Sequence, residues 1–165
     1  MFSRFIPEES RMQNESAKIR VLVPLAEGAE ELEAVTIIDL LRRAGFSVIV
    51  AGLHDGPVRC SRGTVLVPDT TLSTLQEADN SRFDLIVLPG GLPGADHLRD
   101  DTRLRHLLLG QAAEKRLIAA ICAAPKVLEA AGLLAGKRFT AYTGSLERLS
   151  GESTGASVEI DAGIV

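Results

Sequence analysis

The chain has 165 residues, 45% apolar and 24% charged, enough for one globular domain with a core of its own. Its net charge of −4, with arginines scattered rather than clustered, excludes nucleic acid or an anionic membrane as the main partner, since either calls for a basic face. Two cysteines without C-x-x-C spacing and three dispersed histidines argue against a disulfide framework or a metal site and fit a reducing, cytoplasmic compartment.

Residues 1–18 are polar, carry Glu8, Glu9 and Glu15 and lack an apolar centre, so they read as a flexible tail rather than a signal or transit peptide. A single domain is expected over 19–165. Ile19 to Leu25 reads as a buried strand closed by the Glu27-Gly28 turn signal. Ala34, Val35, Ile37, Ile38, Leu40 and Leu41 then fall at helical spacing, with Gly45 as the stop. Phe46 to Ala51 is a second strand, 52–62 a loop, and Val65 to Val67 a short strand. Phe83 to Leu88 is a clear buried strand running into Pro89-Gly90-Gly91, and a helix is predicted across Leu98 to Lys115. Leu117 to Ile121 is a strand, Lys126 to Ala131 a helix, Phe139 to Tyr142 a strand, and Val158 to Val165 a hairpin turning at Asp161-Ala162-Gly163. No apolar run reaches the roughly 18 residues of a membrane span.

Alternating strands and helices predict an α/β sandwich with a mainly parallel sheet, whose ligands gather beyond the carboxyl ends of its strands. Three features fall there: the Glu27 to Glu33 segment, Gly90-Gly91 and Cys122. Cys122 sits where a strand gives way to a helix, a position that can lift a nucleophile clear of the sheet and favour its thiolate. A small buried thiol among alanines is the competing reading. Gly90 and Gly91 can bring backbone N–H groups to a ligand oxygen together with the amide of Ala123, or simply form a tight turn. Glu33 shares its helical face with Ala34, Ile37 and Leu41, which turns its carboxylate inward, although acidic residues also favour a helix N-terminus for its own sake. The helix terminus alone is worth about 0.3 to 2 kcal/mol, so it lowers a thiol pKa by at most about 1.5 units. A carboxyl and a thiol in contact would hold one proton between them, leaving Glu33 to donate to the sulfur and to act as a general acid and base.

The strings LVPLAEGAEELEAVTIIDLLRRAGFSV, CSRG, DLIVLPGGLPGADHL and LIAAICAAP resemble the ThiJ/PfpI superfamily, specifically its DJ-one branch, from about Ile19 to Val165. The resemblance implies a flavodoxin-like fold with a cysteine nucleophile elbow, a homodimer, and an active site of Cys122, Glu33, Gly90, Gly91 and Ala123. It implies glutathione-independent conversion of methylglyoxal or glyoxal, repair of early glycation adducts on proteins, and redox sensing through the same cysteine, with no metal or organic cofactor. The non-catalytic alternative is a redox-sensing or chaperone-like binding protein. Arg43 and Arg62 match positions near the site mouth or dimer interface and are candidate anion or substrate contacts, as is Tyr142, which stands where some relatives place a histidine. Ala123 replaces the histidine that follows the cysteine in peptidase-like branches, which argues against a Cys-His peptidase. No histidine follows Cys122, which argues against amidotransfer. Measured against the family, the sequence stops at Val165 before a last strand, a Gly-Pro-Gly-Thr loop and a terminal helix, some ~20 to 35 residues whose loss would expose apolar sheet; an inactive truncated form is thus a further alternative.

Overall fold

The computed structural model describes residues 19–78, 82–145 and 149–165; the tail expected over 1–18 lies outside the described residues. The elements are β1 (Arg20–Leu25), α1 (Glu31–Arg43), β2 (Ser47–Gly52), β3 (Val58–Arg59), β4 (Val65–Leu66), β5 (Thr70–Thr71), α2 (Leu72–Glu77) and β6 (Leu85–Leu88). They continue with α3 (Gly94–Asp100), α4 (Thr102–Ala113), β7 (Leu117–Ala120), α5 (Pro125–Ala130), β8 (Arg138–Phe139) and β9 (Glu152–Ser153). Five strands form one sheet in the order β5-β2-β1-β6-β7, every pair parallel, as the α/β expectation required.

The apolar runs are continuous rather than alternating because the central strands are covered on both sides. In β1, Leu22 packs with Ile86, Leu98, Leu104 and Leu108 on one face, whereas Val21 and Val23 meet Val48, Val87, Ile37 and Leu41 on the other. Parallel register then brings the ends of β1, β6 and β7 to one edge of the sheet, where Leu25, Leu88 and Ala120 hand over to the three candidate segments.

The helix expected over Leu98 to Lys115 is two helices. Asp101 interrupts it with an extended backbone (φ −79°, ψ 112°) and caps α4 by accepting from the N–H groups of Arg103 (2.9 Å) and Leu104 (3.0 Å). Arg103 grips the same carboxylate at 2.5 Å and reaches the Leu53 carbonyl and the Ser73 hydroxyl, so the break is anchored to the loop after β2. The strand expected over Phe139 to Tyr142 shortens to β8, and 143–145 turn into a 3-10 helix. At the C-terminus the turn forms, with Asp161 and Ile164 exchanging both backbone bonds, but 157–160 form no strand. Residues 163–165 run parallel to β7 instead, through Ile118 N–H to Gly163 and Ala120 N–H to Val165.

Candidate active site

After β7 the chain makes one more sheet bond, from Ile121 N–H to the Leu88 carbonyl (3.2 Å), and then bends sharply. Cys122 takes φ +59°, a left-handed conformation that costs a non-glycine residue about 1–2 kcal/mol. Ala124 N–H closes the bend onto Ile121 (2.9 Å), and Pro125 starts α5 where no N–H is needed. This is the elbow expected of Cys122, half-buried between fully buried Ala123 and Ala124 on one side and exposed Ile121 on the other.

Glu33 is the third residue of α1, on the stripe that also carries buried Ala34 and half-buried Ile37. Its Oε2 accepts from the N–H of Gly90 at 2.8 Å. Gly90 has no room for a side chain: a Cβ there would lie 2.8 Å from the Cys122 Cβ, 2.8 Å from Glu33 Oε2 and 2.9 Å from the Ile121 carbonyl. Gly91 follows at φ +89°, with a Cβ position only 2.2 Å from the Glu30 nitrogen, so the loops after β1 and β6 meet backbone to backbone. The Glu30 N–H donates to the Gly90 carbonyl (3.0 Å) and locks that approach. The glycine pair is therefore both a tight turn and a close-approach device, and the Gly90 amide is committed to Glu33. The N–H groups that bond the sulfur are those of Gly91 and Ala123.

Burial, followed by the hydrogen bond to Glu33 and the charge of that carboxylate, pushes the Cys122 thiol above its ordinary range; the Gly91 and Ala123 amides pull the other way. This departs from the lowering expected of a helix terminus. α5 is only six residues long and begins three residues after the sulfur, so its dipole is weak there, whereas the carboxylate touches the thiol.

The other candidates disperse. The guanidinium of Arg43 pairs with Asp39 (2.7 Å) at the far end of α1, about 15 Å along the axis from Glu33 at 1.5 Å per residue. Arg62 uses its backbone: its N–H donates to both Glu31 oxygens (3.1 and 3.0 Å), while its side chain is exposed. Tyr142 approaches through its N–H, which donates to the Cys122 carbonyl (2.9 Å), while its exposed ring leans over Gly144. Cys60 is buried, and burial followed by the charges of Glu31, Glu27 and Glu30 holds its thiol above the ordinary range.

Glu31 was missed in the sequence. Its carboxylate takes the N–H groups of Arg62 and Thr64 and the Ser61 hydroxyl (3.1 Å). Burial acts to raise its pKa, but these bonds and its own N–H outweigh it and bring the value down to about 2. The only signal was Ser-Arg-Gly-Thr at turn spacing opposite an acidic helix start. Cys122 also borders an apolar groove of about 430 Å³ beside α1, lined by Ile37, Val87, Ala119, Phe139 and Val165 among others. Among the described residues, no helix is long and apolar enough to cross a membrane.

The DJ-1/PfpI family profile matches residues 19–165. The chain is 47% identical to protein dj-1beta of Drosophila melanogaster over 122 residues, covering 73% of this chain and 64% of that protein. It is 42% identical to the Parkinson disease protein 7 homolog of Danio rerio, covering 79% of this chain and 68% of that one. It is 40% identical to the glutathione-independent glyoxalase DJR-1.2 of Caenorhabditis elegans, with 74% and 63% covered. The chain thus spans just under two thirds of the length of the fly and nematode relatives. Among solved structures, oxidized Toxoplasma gondii DJ-1 superposes with a TM-score of 0.80 at 41% identity, covering 88% of this chain and 79% of that one. Drosophila melanogaster DJ-1beta gives 0.82 at 40% identity, with 89% and 80% covered. With its elbow cysteine, inward glutamate and Gly-Gly loop at one end of a parallel sheet, the chain belongs to the DJ-1/PfpI family.

Proposed function

We propose that the chain is a cofactor-independent cysteine enzyme acting on methylglyoxal, glyoxal or their early protein adducts, of the glutathione-independent glyoxalase and deglycase type. The observation that carries this reading is the cluster of Cys122 in a left-handed elbow, Glu33 hydrogen-bonded to it, and Gly90 holding the carboxylate at 2.8 Å. The name of the nematode relative points the same way.

The chemistry needs one sulfur and one mobile proton. With the shared proton on Glu33, the thiolate adds to the aldehyde carbon and the proton passes to the new alkoxide, giving a hemithioacetal. In this reading the Gly91 and Ala123 amides, which bond the sulfur, also steady the new oxygen. Glu33, now a carboxylate, removes the proton from the former aldehyde carbon and delivers it to the neighbouring carbonyl carbon, while the hydroxyl proton on the first carbon passes to the oxygen on the second. The resulting lactoyl thioester is hydrolysed by one water to lactate, and the thiol is restored. For a glycated protein, the sulfur replaces the amine at the hemiaminal carbon: the C–S bond forms, the C–N bond breaks, the leaving amine takes the proton from Glu33, and the same hemithioacetal results.

The partners proposed are small α-oxoaldehydes or glycated proteins, together with a second copy of the chain. Exposed Leu32, Val35 and Leu40 on α1 support a dimer face. A cytoplasmic location fits two cysteines without disulfide spacing. The test is lactate formation from methylglyoxal without glutathione. Cys122→Ser and Glu33→Gln should each lose about 100-fold or more, the scale of a general acid/base contribution. Cys60→Ser should stay within about twofold of the parent, as expected of a buried thiol outside the site. Turnover that survives Cys122→Ser would overturn the reading. Reversible oxidation of Cys122 without any aldehyde turnover would favour the redox-sensing or chaperone-like alternative, since two amides face that sulfur.

A further inference from the structure

The two segments that supply amides to the sulfur each run straight into a helix. Gly91 leads into α3, whose first turn holds Asp96; Ala123 leads into α5, whose second residue is Lys126. Lys126 Nζ donates to Asp96 Oδ1 at 3.0 Å, an ion pair added to the buried cluster that Leu98 of α3 shares with Val127 and Leu128 of α5. Asp96 is itself held from its own helix, because Arg99 Nη1 donates to the same oxygen at 2.8 Å while Asp100 holds the rest of the guanidinium. The pair is shielded, with side-chain exposures of 22% for Lys126 and 35% for Asp96, against 75% and 54% for the Arg43–Asp39 pair on the surface.

The charge placement is also informative. A cation in the first turn of a helix faces unpaired N–H groups and is disfavoured there, so Lys126 breaks a local rule that its partner on α3 compensates. Asp96 and Lys126 carry opposite charges, so by charge alone their removal would shift the Cys122 thiol in opposite directions, whereas a loosened brace shifts it upward in both cases.

We propose that Asp96 and Lys126 are positioning residues: their ion pair braces α3 against α5 and so keeps the Gly91 and Ala123 amides aimed at one point, the Cys122 sulfur. The inference rests on the sulfur site, not on its aldehyde substrate. Loosening the brace lets the two loops part, and the sulfur loses hydrogen bonds that favour its ionised form.

The test is the pH dependence of iodoacetamide alkylation of Cys122, followed by peptide mass spectrometry, in the parent, Lys126→Met, Asp96→Asn and Lys126→Arg. The Met and Asn variants should move the midpoint upward and slow alkylation at pH 7 by about 3- to 10-fold, the scale of one ordinary hydrogen bond, as expected when the amides are displaced rather than removed. The Arg variant should restore the parent profile. Unchanged profiles in Lys126→Met and Asp96→Asn, even with lowered thermal stability, would reduce the pair to an ordinary surface bridge and overturn the proposal. Should Lys126→Met fail to fold, the near-isosteric Asp96→Asn carries the test, with continued protection of Cys60 reporting an intact core. Alkylation needs no turnover, so failure here leaves the glyoxalase reading standing, and a protein without aldehyde activity can still support the brace.

Discussion

Replacing Gly90 by alanine should break the site from its centre. The added Cβ would lie 2.8 Å from the Cys122 Cβ and from Glu33 Oε2, and 2.9 Å from the Ile121 carbonyl, three contacts closer than real Cβ atoms make. Two of these neighbours are backbone or the first side-chain atom, so rotamer changes relieve little. Overpacking of this kind costs about 1–3 kcal/mol. Displacing Glu33 from the Gly90 N–H removes a charge-assisted bond worth about 1.5–3 kcal/mol. Because one shift of Glu33 relieves both contact and bond, the terms overlap, and a total of about 2–4 kcal/mol is expected. At roughly 2–4 °C per kcal/mol for a chain of this size, the melting temperature should fall by about 4–16 °C. Misplacing a reacting group by 1 Å can cost about 100-fold, so lactate formation should fall at least that far at temperatures where the variant is folded. Gly110→Ala is the control: it lies inside α4 with nothing within 4 Å of its Cβ position and should stabilise by about 0.5–1 kcal/mol. A Gly90→Ala protein that melts with the parent and turns over methylglyoxal normally would refute steric exclusion at this position.

Further outcomes follow from single features. Cys122→Gly should be more stable than Cys122→Ala by about 1 kcal/mol in urea denaturation, because only glycine relaxes at φ +59°; equal stabilities would contradict a strained elbow. The Arg62, Thr64 and Ser61 hydrogen bonds hold Glu31 down to about 2 in the folded chain against an ordinary value of 4.5, so its stabilisation is complete above 4.5 and disappears as the pH falls through 2. The stability gap between the parent and Glu31→Gln should therefore be constant near neutrality and shrink from pH 4.5 downward, and a gap of the same size at pH 6 and pH 2.5 would contradict the clamp. Asp101→Ala removes the α4 cap and frees Arg103, with an expected loss of about 2 kcal/mol and roughly 4–8 °C in melting temperature. An unchanged melt would show that the break between α3 and α4 does not depend on that carboxylate.

What was legible in the sequence is what short-range pattern encodes. The apolar runs of β1, β6 and β7 and the stripe of α1 located the sheet and turned Glu33 inward, and the strand-to-helix change placed Cys122 at a bend. Less legible were features decided by pairing across the fold. Asp101 looks like any helix residue until Arg103 and the Leu53 carbonyl fix it as a cap. The charge on Glu31 depends on a turn 30 residues away. The direction in which Cys122 shifts depended on the contact with Glu33 and on burial, neither of which periodicity reports. Arg43 and Arg62 were nominated by resemblance, yet within one chain the first lies at the wrong end of α1 and the second turns its side chain outward.

The most direct test of an assembled Cys122–Glu33 pair is the alkylation midpoint of Cys122 in native and unfolded protein, in the parent and in Glu33→Gln. Burial and the carboxylate raise the thiol in the native parent, so its final proton should leave at higher pH than in the unfolded chain. Glu33→Gln removes the hydrogen bond and charge of the carboxylate but keeps the Gly91 and Ala123 amides, so its native midpoint should move down while aldehyde turnover is lost. Coincident native and unfolded profiles, or a Glu33→Gln midpoint that stays with the parent, would contradict the pair and the chemistry built on it.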